Sequence, residues 1–308
     1  MDFAAPWAMG IAATLRLADH VEAGATRIDE LAQRAGAEPD ALRRLLRYLA
    51  ARGVFAEPAP GEVANTELSR LLLDEVGWRP WLDLDDAPGL WAESWARLLE
   101  AVRTGSPGRD DAWYYEALVA SGRAASFDAL MAAQVRANAE RLAEIYDWDA
   151  VDRVVDVGGG TGTMLRTLLA AHPHLRGTLV DLPQVVEAVA GDGRLEIVAG
   201  DFFETPLPRG DAYVLSQILH AWPDERAATL LRRCRDAGGE DVRVLLVEGV
   251  LPEEPSAAEA SFDLFMLALT GGRQRTLDDF RRLGESAGLA LGSAEPLGPG
   301  GMLVELRP

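Results

Sequence analysis

Residues 153–162, RVVDVGGGTG, run a β-branched strand straight into a glycine turn, and the apolar-periodic stretch TMLRTLLAA begins a helix directly afterwards. Glycines at such a junction allow a tight turn and let ligand atoms approach the backbone at a helix N-terminus, where unpaired N–H groups favour a carboxylate or phosphate. The GxGxG spacing from Gly158 through Gly160 to Gly162 lacks the last glycine of the GxGxxG fingerprint and fits a dinucleotide as well as S-adenosylmethionine (SAM).

Further along the chain, GTLV (177–180), LEIV (195–198), AYVLS (212–216) and VRVLLVE (242–248) alternate with helical stretches such as RAATLLRRC, and late runs near Leu289 and over 302–306 close an edge. Short apolar strands alternating with helices imply an α/β fold: a doubly wound, Rossmann-like parallel sheet covered on both faces, here expected over residues 148–308.

Ligands of such sheets bind outside the carboxyl ends of the strands, so the residues at those ends are the candidates. The first strand carries Asp156 into Gly158 and Gly160. The second ends at Asp181-Leu182, where a carboxylate suits two ribose hydroxyls; NAD and SAM remain tied there. The third ends in Gly200-Asp201-Phe202-Phe203, suited to an adenine amine at Asp201 and ring packing by Phe202, although a strand-end turn over core aromatics reads the same. The fourth delivers Ser216-Gln217 and then His220, whose imidazole, with an ordinary pKa of about 6.5, suits general-base work. His20 lies in the first module, and His172 and His174 flank Pro173 at a helix end.

Toward the N-terminus the texture is helical. IDELAQRAG and ALRRLLRYLAARG each present an apolar face, Gly53 stops the second helix, and the turn EPAPG separates Val54-Phe55 from Glu62-Val63-Ala64 in a small hairpin. This winged-helix pattern, taken as residues 1–88, raises DNA binding and hence a ligand-sensing transcription factor. Residues 1–56 hold seven arginines against seven acids, so no basic field supports that reading. Packing against a second copy fits better, with the leucine stripe of 42–49 as the candidate contact. Residues 89–147 form a helical linker, with one helix from Trp91 carrying Trp95, Leu98, Leu99 and Val102 and another from near Ser126 carrying Phe127, Leu130, Met131 and Val135. Such stripes are core before they are ligand wall.

A net charge of −19 makes approach to a nucleic-acid backbone unfavourable. The single cysteine forms no internal disulfide or thiolate cluster, and no His/Cys/carboxylate spacing points to a metal. Without an 18-residue apolar run or a signal-peptide layout, a cytoplasmic chain that uses no membrane is expected.

Taken together, VVDVGGGTG, VDLPQV, GDFFE, LSQILHAWPDE, VEGVLPE and GGRQRT occur in an order and spacing that resembles the plant caffeate-type and actinobacterial polyketide-tailoring O-methyltransferases over nearly the whole chain. The resemblance implies a homodimer built on the N-terminal helices, SAM as cofactor and a small-molecule acceptor methylated on oxygen. It places Gly158 at the methionine end of SAM, Asp181 at the ribose, Asp201 and Phe202 at the adenine, and Ser216 at a further cofactor contact. By the same resemblance His220 is the base, Glu248 orients it, and Trp113, Met131, Trp222, Phe262 and Met266 line the acceptor pocket. Two positions depart from the family: Ala221 follows the base where Asp is common, and Gln274 stands where a second acid flanks it. An amide holds an imidazole in orientation but supplies no charge to stabilise the imidazolium. That tilts the expected acceptor toward phenols and leaves open C- or N-methylation or a non-methylating step in the same pocket. An NAD oxidoreductase is the rival among enzymes.

Overall fold

The computed structural model describes residues 2, 4–74, 77–109, 113–298 and 300–308, with Trp113 described in its backbone alone. The chain packs as two compact units: residues up to Glu93 together with Tyr115–Leu130, and Ser94–Tyr114 together with Met131–Pro308.

In the first unit, helices α1 (Ala5–Thr14), α2 (Leu17–Glu22), α3 (Ile28–Ala35) and α4 (Pro39–Ala51) precede a hairpin of β1 (Phe55–Ala56) and β2 (Ala64–Asn65) and the short α5 (Glu67–Arg70). Pro39 opens α4, and the Glu38 carboxylate accepts from the Asp40 and Ala41 N–H groups that the helix leaves unpaired. The leucine stripe of α4 does not form an outer face. Leu42, Leu46 and Leu49 are buried in this unit's own core with Ile28, Leu31, Phe55 and Val63. A one-sided helix of a small module spends its stripe on the nearest apolar surface, here α3 and the hairpin. Among the described residues of this unit, the large apolar groups left exposed are Trp7 and Ile11, one turn apart on α1, with Leu68, Leu71, Trp78 and Val119.

The helix expected from Trp91 is broken: α6 (Ala87–Ser94) passes through a 3-10 turn at Trp95–Arg97 into α7 (Leu98–Thr104), and Leu99 and Val102 are exposed. After α8 (Trp113–Ala120), the long helix α9 (Ala124–Ile145) buries Leu130, Ala139 and Leu142.

The second unit carries a seven-stranded sheet of β3 (Arg153–Val157), β4 (Arg176–Asp181), β5 (Leu195–Ala199), β6 (Ala212–Ser216), β7 (Arg243–Glu248), β8 (Ala290–Gly298) and β9 (Gly301–Arg307) in the order β5-β4-β3-β6-β7-β9-β8. Its first five strands are parallel and β9 is antiparallel to both β7 and β8. Alternate residues serve opposite faces: Val154, Val214 and Leu245 enter the core under α10 (Thr163–Ala171), whereas Val155, Tyr213 and Val244 enter the one shared with α12 (Asp224–Gly238) and α14 (Leu277–Ser286). The remaining helices are the short α11 (Pro183–Val186) and α13 (Ala257–Leu269). Val157 pairs with Val180, Asp181 with Ala199 and Ser216 with Val247. This register brings the carboxyl ends of the parallel strands to one edge. No helix among the described residues is long and apolar enough to cross a membrane.

Candidate active site

At that edge the glycine turn is held by its neighbours. Gly158 has φ +72°, and a Cβ there would lie 2.5 Å from Ile218 Cδ1 and 3.4 Å from the Phe202 ring, so no side chain fits without displacing the floor of the loop. Asp181 ties the turn to β4: one carboxylate oxygen accepts from Gly160 N (2.7 Å) and the other from Leu182 N (2.7 Å). Asp156 is fully buried, its carboxylate set against Gly159. Burial, reinforced by the Asp181 charge, pushes its pKa up to about 7.

The turn after β5 is anchored independently. Asp201 accepts from Phe203 N (2.7 Å), and Arg233 of α12 donates to the carbonyls of Phe202 and Thr205. A Cβ on Gly200 would meet the Thr205 hydroxyl. The Phe202, Phe203 and Trp222 rings cluster, with the Arg226 guanidinium 3.7 Å from the Phe203 ring centre. Trp222 thus sits beside the Gly200 turn and packs on the core shared with α12.

Beyond Ser216, whose hydroxyl is buried, Gln217 adopts φ +58°, a backbone conformation that non-glycine residues reach only at some cost. That reversal leads into a 3-10 turn at Leu219–Ala221 carrying His220. Glu248, the last residue of β7, faces it: one carboxylate oxygen accepts from Ile218 N (2.9 Å) and Leu219 N (2.7 Å), and the other lies 3.4 Å from His220 Nδ1. Burial raises the Glu248 pKa to about 7. Burial and then the Arg275 charge lower that of His220 to about 4, so the imidazole is neutral at physiological pH.

Phe262 of α13 meets the His220 ring edge-on at 5.9 Å, and Phe265 and Trp95 extend the aromatic run. Met266 is buried on α13 and Met131 half-buried on α9, while the side chain of Trp113 lies outside the described residues. Gln274 donates its backbone N–H to Asp263 (2.7 Å), and its side-chain Nε2 is buried without a hydrogen-bond partner among the described residues. Ser216 Oγ, His220 Nδ1 and Glu248 Oε2 lack hydrogen-bond partners in the same sense, so polar capacity is concentrated along this edge.

Sequence reasoning passed over Ile218, the wedge under Gly158, and Asp263 and Arg275. Arg275 is inside the quoted GGRQRT stretch, but an arginine read from sequence looks exposed, and this one is 1% exposed.

Residues 95–290 match the family model of the O-methyltransferase domain, and residues 1–75 that of the O-methyltransferase dimerisation domain. The chain is 40% identical to a 2,7-dihydroxy-5-methyl-1-naphthoate 7-O-methyltransferase of Streptomyces carzinostaticus, over 96% of this chain and 92% of the relative. It is 42% identical to an aclacinomycin 10-hydroxylase of Streptomyces purpurascens, over 95% and 83%. Among solved structures, an O-methyltransferase from neocarzinostatin biosynthesis in complex with SAM and 2-hydroxy-5-methyl naphthoic acid superposes with a TM-score of 0.89 at 38% identity, covering 99% of this chain and 96% of that one. Matched through both its dimerisation and its transferase parts, the chain belongs to the SAM-dependent O-methyltransferase family.

Proposed function

We propose that this enzyme methylates a phenolic hydroxyl of a small aromatic acceptor, with His220 as general base and Glu248 as its supporting carboxylate. The observation that carries the reading is the pair at the ends of β6 and β7: an imidazole whose Nδ1 lies 3.4 Å from a buried carboxylate. With Nδ1 3.4 Å from the Glu248 carboxylate, Nε2 is the ring nitrogen left for an acceptor O–H.

The cofactor-side residues fit SAM. Gly158 leaves a side-chain-free cradle, and the Asp181 carboxylate, tied to the Gly160 and Leu182 N–H groups, stands at the end of β4, where it suits ribose hydroxyls. Asp201 and Phe202 serve the adenine from a turn that Arg233 holds rigid. Asp156, Gly160, Leu182, Gly200, Ser216 and Gln217 shape the same edge. When bound, SAM supplies an electrophilic methyl group.

The chain's own residues then align the hydroxyl and take its proton. Alignment by the pocket contributes about 7–11 kcal/mol and a general base about 10²–10⁴-fold in rate, so positioning outweighs the base. Gln274 adds no charge, and a histidine this weakly basic works best on an acidic hydroxyl. Phe262 and Met266, with Met131, line the acceptor side. The naphthoate substrate named for the Streptomyces carzinostaticus relative supports a fused phenolic acid as acceptor.

The chain acts as a homodimer through its N-terminal unit, with exposed Trp7 and Ile11 as the apolar contact.

A second reading has one specific support: a relative at 42% identity is named a hydroxylase, so the same scaffold accommodates a non-methylating step. Incubation with SAM and a panel of hydroxynaphthoic and phenolic acids, followed by mass spectrometry, separates the two by whether the product gains a methylene unit or an oxygen atom. On a weakly acidic phenol His220→Ala is expected to lose about 10²-fold or more. A wild-type rate in that variant overturns the base assignment.

A further inference from the structure

The turn that carries His220 is pinned from two sides, and only one has been used so far. From β7, Glu248 takes the N–H groups of Ile218 and Leu219. From the opposite side, residues 272–275 run along the turn as a strap. Arg273 N donates to His220 O (2.9 Å). Arg275 donates to Leu219 O through Nη1 (2.6 Å), to Trp222 O through Nη2 (2.8 Å), and to the Asp224 carboxylate through Nε (3.0 Å) and Nη2 (2.8 Å). The carbonyls of Leu219, His220 and Trp222 therefore all accept from the strap. Gly272 passes so close that a Cβ on it would lie 2.1 Å from His220 O.

The strap is itself fixed at both ends. Gln274 N donates to Asp263 of α13, Arg275 O accepts from Leu251 N just beyond β7, and Thr276 opens α14 in a reciprocal capping box with Asp279. Its fully buried guanidinium carries a desolvation cost that an exposed arginine avoids, and the geometry meets that cost by directing its fork at two carbonyls and one carboxylate.

We propose that Arg275 is a positioning residue for the proposed base: it holds the His220 turn in register against Glu248 and keeps a fixed positive charge beside the imidazole. The inference rests on the reading of His220 as the base, but its structural half stands independently of that reading. The charged groups around His220 are Glu248 on β7, Arg273 and Arg275 on the strap, and Asp224 at the start of α12, which pairs with both arginines. Asp263 faces the strap through the Gln274 N–H. Arg275 is the second cause, after burial, of the depressed histidine pKa.

Arg275→Met keeps much of the side-chain volume and removes the fork and the charge. Arg275→Lys keeps the charge but cannot reach all three acceptors at once. Asp224→Asn loosens the clamp from its solvent side and covers the case in which Arg275→Met does not fold. The first readout is the imidazole titration of ¹⁵N-histidine-labelled protein; the chain has four histidines, so His220→Ala assigns the signal. In Arg275→Met the His220 pKa is expected to rise toward about 6.5, and in Asp224→Asn, which leaves the Arg275 charge uncompensated, to fall. In Arg275→Lys the titration stays near wild type.

The second readout is kinetic. With a phenolic acceptor, kcat is expected to fall on the order of 10²-fold in Arg275→Met and Arg275→Lys, the loss seen for a misplaced catalytic group, with calorimetric SAM affinity unchanged. A titration and a kcat in Arg275→Met that both match wild type overturn the proposal; if that variant does not fold, a wild-type titration in Asp224→Asn together with a wild-type kcat in Arg275→Lys overturns it. Should His220→Ala retain full activity while the Arg275→Met titration shifts, the base reading fails and the positioning of the turn stands.

Discussion

At His220 and Glu248 burial acts in opposite directions, holding the histidine neutral to about pH 4 and the carboxyl protonated up to about pH 7. The group that titrates in the working range is therefore Glu248. Below its pKa it is neutral and gives little support to an imidazolium; above it the carboxylate stabilises the protonated ring. For a weakly acidic phenol, kcat is expected to rise with pH through about 7, and Glu248→Gln to abolish that rise and lower the plateau about 10²-fold or more, read from a pH–rate profile with SAM saturating. Gln274→Glu adds a second negative charge, raises the histidine pKa and moves the imidazole titration to higher pH, measurable by the same labelled-histidine spectra. An acceptor already ionised at the assay pH should respond weakly to both changes. Asp156 makes a separate prediction for stability. Its folded pKa of about 7 exceeds the ordinary 3.8, so the folded state keeps a proton that the unfolded chain releases. That contribution is complete below about pH 4, lost progressively to about pH 7 and constant above. Asp156→Asn is expected to flatten this fall and gain roughly 1–4 kcal/mol relative to wild type at pH 8 but not at pH 4, read by denaturant unfolding of the SAM-free protein.

Two glycines that look alike in sequence do different work in their elements. At Gly158 the backbone has φ +72° and the nearest obstacle is the mobile end of the Ile218 side chain. Gly158→Ala is therefore expected to cost about 1–2 kcal/mol for the left-handed backbone and to weaken SAM binding at least tenfold, seen by calorimetry. At Gly272 the obstacle is the His220 carbonyl, which belongs to a turn held on both sides and cannot give way easily. Gly272→Ala should displace that turn and lower kcat while leaving SAM affinity near wild type. The capping box at α14 holds the same strap from the other end, and Thr276→Ala is expected to cost about 1 kcal/mol in thermal or denaturant unfolding.

Across the whole molecule, a net charge of −19 sets two copies against each other at long range, so a dimer must gain its stability from apolar contact at short range. Trp7 and Ile11, 52% and 36% exposed on the same side of α1, are the surface proposed for that contact, in the unit matched by the dimerisation domain. Light scattering is expected to report a dimer that tightens as salt is raised from about 0.01 M to about 0.15 M, because screening weakens the repulsion and leaves the apolar term. Trp7→Glu with Ile11→Glu should yield a monomer, whereas Leu46→Ala in α4 should lower stability by about 2–5 kcal/mol without selectively dissociating the dimer. A wild-type chain that stays monomeric across a wide concentration range sinks the assembly.

The strands and their polar ends were legible in the sequence because a buried parallel strand must be apolar on both faces, so RVVDV, AYVLS and VRVLLVE stand out, and the residue after each run falls at the ligand edge. Asp181, Asp201, His220 and Glu248 could be singled out on that ground alone or by resemblance. The α4 stripe was legible as a helix face but not in its target, since the same i, i+3, i+4 spacing serves an internal core or a partner; proximity to α3 and the hairpin decided for the core. Trp222 likewise went to the Phe202–Phe203 cluster through packing between strand ends that are distant in the chain. The role of Arg275 was the least accessible. Its acceptors, Leu219 O and Trp222 O, lie 56 and 53 residues earlier, and backbone carbonyls have the same chemistry at every position. The sequence by itself determined which elements form and which chemistry stands at their ends; only the tertiary structure decided which backbone groups meet, because hydrogen bonding between distant segments depends on register and packing and leaves no periodic trace in the chain.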